Sequence, residues 1–254
     1  MKKIASVVFL MMILLGVHGM SLAETRVPKG VDVAAVFAQQ TKQPFTSREG
    51  SIAFLDTIWF YLSDNTFVQY AFIDNRPVVF SEGVYRFANG GSFFGGKEEE
   101  NHGDLIITRK MKYMDKKGLE TYHSERTYAL DSLGFQKIFC RENEGKKVVA
   151  VFAGQNKQPY GQNNCIDTYW IFFDDNTFGQ YACPASDPVP FSEGTYSLSA
   201  GADFRYEADE TDFGKITIRW KKKLQSSMTY AAYDSEHTYG LNTLGFSLLV
   251  LDED

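Results

Sequence analysis

Hydrophobic and polar residues alternate with a period of two through most of the chain, in short runs punctuated by turn-forming residues. In "DTIWFYLSDNTFVQYAF", residues 56–72, the alternation predicts a hairpin that turns at Asp64 and Asn65. Asp can bond the backbone two residues on, and Asn tolerates the left-handed conformation of a tight turn. A two-residue turn puts Trp59 and Tyr61 on one face with Val68, Tyr70 and Phe72, and sends Ile58, Phe60 and Leu62 to the other. Further strands are predicted at "FSEGVYRF" (80–87), with Gly83 as a bulge or bend, at "GDLIITRKMKY" (103–113), at "ETYHSERTYAL" (120–130) and at "LGFQKIF" (133–139). The segment 32–43 reads partly helical, with Asp32 as cap and Pro44 as stop, and its counterpart "KKVVAVFAGQNKQ" reads as a strand; the element stays open between the two.

The chain carries an internal duplication. Shifting the chain by 111 residues and comparing 56–138 with 167–249 without gaps gives 33 identities in 83 positions. "VFAQQTKQPF" (36–45) matches "VFAGQNKQPY" (151–160) at an offset of 115, so the first copy carries four extra residues between Phe45 and Asp56, as a loop insertion would. "DNTFGQYA" (175–182), "FSEGTYSL" (191–198) with Gly194, and "GKITIRWKKKL" (214–224) repeat the hairpin and the strands that follow. The expected fold is all-β: two homologous antiparallel β-meander domains, each a small barrel or sandwich of six or seven strands, in tandem. Their boundaries are expected at 24–142 and 143–254, with each half folding on its own.

The start of the chain changes the address. Lys2 and Lys3 precede an apolar run from Ile4, and Ser21-Leu22-Ala23 supplies the small residues of a cleavage site, so residues 1–23 read as a signal peptide. The run is interrupted by Gly16, His18 and Gly19 and is shorter than a membrane span needs. The expected mature protein is secreted across the cytoplasmic membrane, periplasmic or extracellular, and not membrane-embedded. Its 231 residues carry a formal charge of −8, against −6 for the whole chain, because two lysines and no acid leave with the leader. That balance argues against nucleic acid as partner.

The pattern W-x-F-x-x-D-N-T-F of the second copy (Trp170, Phe172, Asp175 to Phe178), followed by "EGTY" (193–196) and "KITI" (215–218), resembles the lipocalin-like small β-barrel domains of bacterial envelope proteins. Those domains usually have Gly where Asn65 and Asn176 stand. The first copy departs further, with Tyr61 at the position of Phe172, and the Gly-x-Trp opening is replaced by "VFAQQTKQP". The resemblance implies an up-and-down barrel and a small apolar ligand, and it implies no catalytic residue.

Candidate chemistry is sparse. His102, His123 and His237 do not recur between the copies, and no zinc-type Cys or His spacing is present, so no metal and no cofactor is expected. The recurring acids Asp56/Asp167, Glu82/Glu193 and Glu125/Glu236 sit beside turns or strand ends, where they serve structure. Among the recurring aromatics, Trp59, Tyr70, Trp170 and Tyr181 are the candidate ligand-binding residues, since polar-tipped rings stack on sugars and line pockets, but packing in the core is the leading expectation, for Trp59 above all, with Trp170 left more open; Tyr85/Tyr196 and Tyr128/Tyr239 also recur. Gln69 and Gln180 fall opposite the tyrosines. Lys110, Lys112, Lys221 and Lys223 are expected on the solvated side, away from Ile218 and Trp220, with an acidic glycan partner as the functional alternative. Cys165 and Cys183 flank the second hairpin and form a candidate disulfide, with Cys140 as competitor.

The leading functional reading is a secreted, non-enzymatic two-domain protein that binds a small molecule, a glycan or an envelope partner. The first alternative is a structural or protein-interaction module, inhibitor-like or adhesin-like, without a ligand cavity. The second is a secreted hydrolase using paired carboxylates.

Overall fold

The computed structural model describes residues 25–46, 52–93, 103–114, 117–130, 136–160, 164–183, 188–204, 214–225, 229–241 and 246–252. Residues 1–23, expected as a signal peptide, and His102 lie outside the described residues.

The repeated hairpin forms as its turn residues dictate. Asn65 and Asn176 hold left-handed φ of 66° and 60°. Asp64 Oδ1 accepts the Thr66 amide at 2.9 Å, and Asp175 Oδ1 accepts that of Thr177 at 3.0 Å. The loop is one residue longer than the sequence predicts. Three residues, Ser63 to Asn65, join β3 (Ile52–Leu62) to β4 (Thr66–Ile73), and the Asn65 amide donates to the Leu62 carbonyl at 3.1 Å. A one-residue slip exchanges every face across the ladder. Trp59 therefore stands opposite Gln69 and Ile58 opposite Tyr70, which corrects the expected grouping of Trp59 with Tyr70. The second copy repeats this register, with Trp170 opposite Gln180 and Tyr169 opposite Tyr181.

The other strands follow in chain order: β1 (Thr25–Val27), β2 (Val33–Thr46), β5 (Arg76–Ala88), β6 (Asp104–Tyr113), β7 (Leu119–Ala129) and β8 (Gln136–Cys140). After one helical turn, Arg141–Glu144, come β9 (Val148–Tyr160), β10 (Asn164–Phe173), β11 (Thr177–Ala182), β12 (Val189–Leu198), β13 (Lys215–Leu224), β14 (Tyr230–Gly240) and β15 (Ser247–Asp252). The segment left open between helix and strand is strand in both copies. The four extra residues of the first copy lengthen the β2–β3 hairpin, whose pairing runs on from Gln43↔Leu55 to Thr46↔Ile52.

One sheet has the order β7-β6-β5-β4-β3-β2-β8 and the other β1-β15-β9-β10-β11-β12-β13-β14. Apart from β1, which pairs in parallel with β15, all partners are antiparallel. Both sheets stay open among the described residues. The closed up-and-down barrel implied by the lipocalin-like resemblance is not formed.

The two sheets stack through a shared apolar layer. Ile58, Phe60, Tyr70 and Phe72 of the first face Tyr169, Ile171, Phe173 and Leu249 of the second. Phe139 and Phe173 stand 5.5 Å apart, and the Tyr70 hydroxyl donates to the Leu249 carbonyl at 2.8 Å and lies 2.7 Å from Thr25 Oγ1. Ion pairs close the junction: Asp32 meets Arg141 and Lys147, and Lys147 meets Asp252 at 2.9 Å. Each sheet carries a second apolar cluster on its far face, around Trp59 and Tyr61 in one and Trp170 and Phe172 in the other. Tyr85 and Tyr196 brace these clusters against the hairpins, donating to the Leu62 and Phe173 carbonyls at 2.8 Å each.

Two predictions follow from the turn and the buried phenols. Asn176→Val should cost about 1–2 kcal/mol in urea unfolding, because a β-branched residue resists positive φ; Asn176→Gly should keep most of the stability, and equal losses for both would misplace the turn. Burial pushes the hydroxyls of Tyr181 and Tyr196 up to about 12. Tyrosines of the unfolded chain ionise near pH ~10, so this contribution is complete below about pH 10 and is lost as pH rises through about 12. The urea midpoint should fall over that window, and a midpoint unchanged up to pH ~11.5 would contradict it.

Candidate functional site

Each sheet curls toward its tryptophan. Strands β10 and β13 are three spacings apart, roughly 14 Å on a flat sheet, yet the Trp170 and Trp220 rings stand 6.3 Å apart. In the first repeat the Arg109 guanidinium of β6 lies 5.3 Å from the Trp59 ring of β3, across the same number of strands. Within each curl lies a cleft, of about 290 Å³ in the first repeat and about 410 Å³ in the second.

The clefts are built from matching residues. Trp59, Gln43, Lys112, Tyr122, Ser124 and Tyr128 line the first. Trp170, Gln158, Lys223, Tyr233, Ser235 and Tyr239 line the second at the equivalent positions. Under each tryptophan runs a buried amide ladder. In the first repeat Ser81 Oγ donates to Gln69 Oε1 at 2.6 Å, and Gln69 Nε2 donates to Gln43 Oε1 at 3.0 Å. In the second, Ser192 donates to Gln180 at 2.5 Å, and Gln180 Nε2 donates to Gln158 at 2.7 Å and to Thr168 Oγ1 at 3.0 Å. The ladder fixes the orientation of the amide that borders each cleft.

Two bulges aim the remaining groups. Between β4 and β5 the register shifts after Gln69, leaving Phe80 as the extra residue; Phe191 takes that place in the second repeat. Between β5 and β6 it shifts at Gly83, with Lys110 extra, and at Gly194 the extra residue is Lys221. Only glycine fits there: a Cβ would come within 2.0 Å of the Thr108 or Arg219 carbonyl oxygen. Past the bulge the alternation reverses, so Lys112 and Lys223 turn into the clefts. This corrects their expected place on the solvated side. Lys112 Nζ lies 5.0 Å from the centre of the Tyr122 ring and 6.0 Å from that of Phe80; Lys223 Nζ lies 5.3 Å from Tyr233 and 5.6 Å from Phe191.

Of the residues singled out in the sequence, Trp59 and Trp170 lie at the floors of the clefts, packed into the apolar clusters with 1% and 7% of their surfaces exposed, whereas Tyr70 and Tyr181 point to the shared layer and are not brought to the tryptophans. No disulfide joins Cys165, exposed opposite Pro159, to Cys183, buried in that layer. His123 is exposed and His237 lines the second cleft, its ring 4.4 Å from Tyr239. Glu125 and Glu236 meet Arg86 and Arg219 on exposed strands, and among the described residues neither cleft lining contains a carboxylate. Among the described residues no group of His, Cys, Asp and Glu is placed to hold a metal, and no helix is long and apolar enough to cross a membrane. The buried Trp170 Nε1–H has no hydrogen-bond partner among the described residues.

Sequence reasoning missed the amide ladder and the arginines Arg109 and Arg126, which join Lys112 in the first cleft. The ladder had left a signal, because Gln43, Gln69 and Ser81 all recur. The chain matches no family model, no curated protein and no solved structure.

Outside the clefts, the recurring acid Glu82/Glu193 has different partners in the two copies. Glu193 is opposite Lys222 and pairs with it at 2.8 Å, whereas Glu82 is opposite Met111. Burial raises the Glu82 carboxyl above the ordinary range. A raised carboxyl favours folding below its ordinary pKa, and that contribution is lost as pH rises through the folded value. Glu82→Gln should therefore be more stable than the parent at pH ~7 and equal to it below about pH 4; urea midpoints that differ by the same amount at both pH values would refute the assignment.

Proposed function

We propose that the chain is a secreted, non-enzymatic binding protein in which each repeat holds a small molecule or a glycan in its curled face. One observation carries the reading: six side chains recur at equivalent positions in both cleft linings, above the same amide ladder and with the lysine between the same two rings. A rigid amide, a serine and the partly exposed ring of Tyr122 or Tyr233 suit a polar ring that stacks and bonds at once. The lipocalin-like resemblance fits as an open relative of a ligand-holding barrel. Among the described residues neither lining holds a carboxylate, which weighs against the paired-carboxylate hydrolase. A second reading, contact with an envelope protein, is supported by Ile52 and Phe54, which are 68% and 58% exposed on the long β2–β3 arm.

All three tryptophans of the chain line the clefts, so intrinsic fluorescence reports their occupancy. Titration with neutral and acidic oligosaccharides should shift the emission and saturate, and Gln43→Ala with Gln158→Ala should weaken it about tenfold or more. Emission unchanged by every saccharide, with binding to envelope proteins abolished by Phe54→Ser, would favour the second reading instead.

A further inference from the structure

The sheets meet through the faces opposite their tryptophans. Phe60 and Tyr70 lie against the second sheet while Trp59, one residue along from Phe60, points outward from the first; Ile171 and Trp170 repeat the arrangement in the second. The two clefts thus open on opposite sides of the stacked sheets, with both sheets and the shared layer between them. A short ligand held in one cannot reach the other.

The charge of the linings is the second observation. The chain has 32 acidic residues against 26 Lys and Arg, yet among the described residues the linings contain cations and no acid. Arg109, Lys112 and Arg126 line the first, and Lys223 the second. Low-dielectric walls focus such a field within the cleft, and at physiological salt a screening length of about 8 Å limits the reach of the acidic remainder. A carboxylate or sulfate on a stacking, hydroxyl-bearing ring meets the cation, the aromatic wall and the amide together.

We propose that each cleft takes an acidic sugar unit, and that one protein molecule bridges two acidic saccharide chains. The proposal rests on the cleft-binding reading. Two outward sites on a rigid body act as a cross-link, and a single site cannot.

Calorimetry with a galacturonate trisaccharide should give two sites per chain. Arg109→Gln combined with Lys112→Gln should leave one site, as should Lys223→Gln, each variant keeping the urea midpoint of the parent to show that it folds. Light scattering with polygalacturonate should rise with added protein and fall again at excess protein, while either single-cleft variant should produce no rise. Fully methyl-esterified polygalacturonate, which lacks the charge, should bind at least about tenfold more weakly. Equal binding of the esterified polymer, with tryptophan emission still responding, would overturn the acidic specificity and leave the cleft reading standing. Two bound trisaccharides without scattering growth would overturn the bridging alone. No heat and no emission change with any saccharide would overturn this proposal and the cleft reading together.

Discussion

The apolar layer between the two sheets is the constraint from which the rest of the architecture follows. A strand in a two-layer protein ordinarily buries one face, but β3 and β10 bury both: Ile58, Phe60 and Leu62 toward the other repeat, Trp59 and Tyr61 toward their own. Burying a large apolar side chain contributes roughly 1.5–3 kcal/mol, so two faces of aromatic residues give each central strand a large driving force and no tolerance for polar substitution. Because one face is committed to the neighbouring repeat, each sheet has only its other face left to curl around. The clefts lie on that face, and their outward direction is a consequence of where the layer sits.

The layer also explains why each sheet remains open. Two matching meanders expose matching apolar faces, and each supplies the cover that the other lacks. Tyr70 is the clearest marker: its ring lies in the layer and its hydroxyl reaches across to Leu249 and Thr25. β1, drawn from the start of the first repeat, covers the β15 edge of the second sheet and removes an unpaired edge that would otherwise recruit another chain.

The class of fold was legible because local chemistry and global structure agree: period-two runs, Asp-Asn turns and a repeat that copies them. The facing of individual side chains was not. A three-residue loop in place of a two-residue one moved Tyr70 and Tyr181 away from the tryptophans, and an extra residue at Lys110 and Lys221 turned Lys112 and Lys223 inward. Both are single-residue events, and a period of two converts each into a complete change of side. One signal was available: "IWFYL" is apolar at every position, which marks a strand covered on both faces. The tryptophans of the clefts were found by recurrence, whereas Arg109 and Arg126 do not recur and could be found only in space.

Scanning calorimetry of the chain from residue 24 to 254 tests most directly whether the shared layer makes one structure of the two repeats. Against the expectation that each half folds on its own, the shared layer and the β1–β15 pairing predict a single transition whose calorimetric and van't Hoff enthalpies agree, with Phe60→Ala and Ile171→Ala, on opposite sides of the layer, each lowering the whole transition. Two separable transitions, each shifted by only one of the two substitutions, would contradict it.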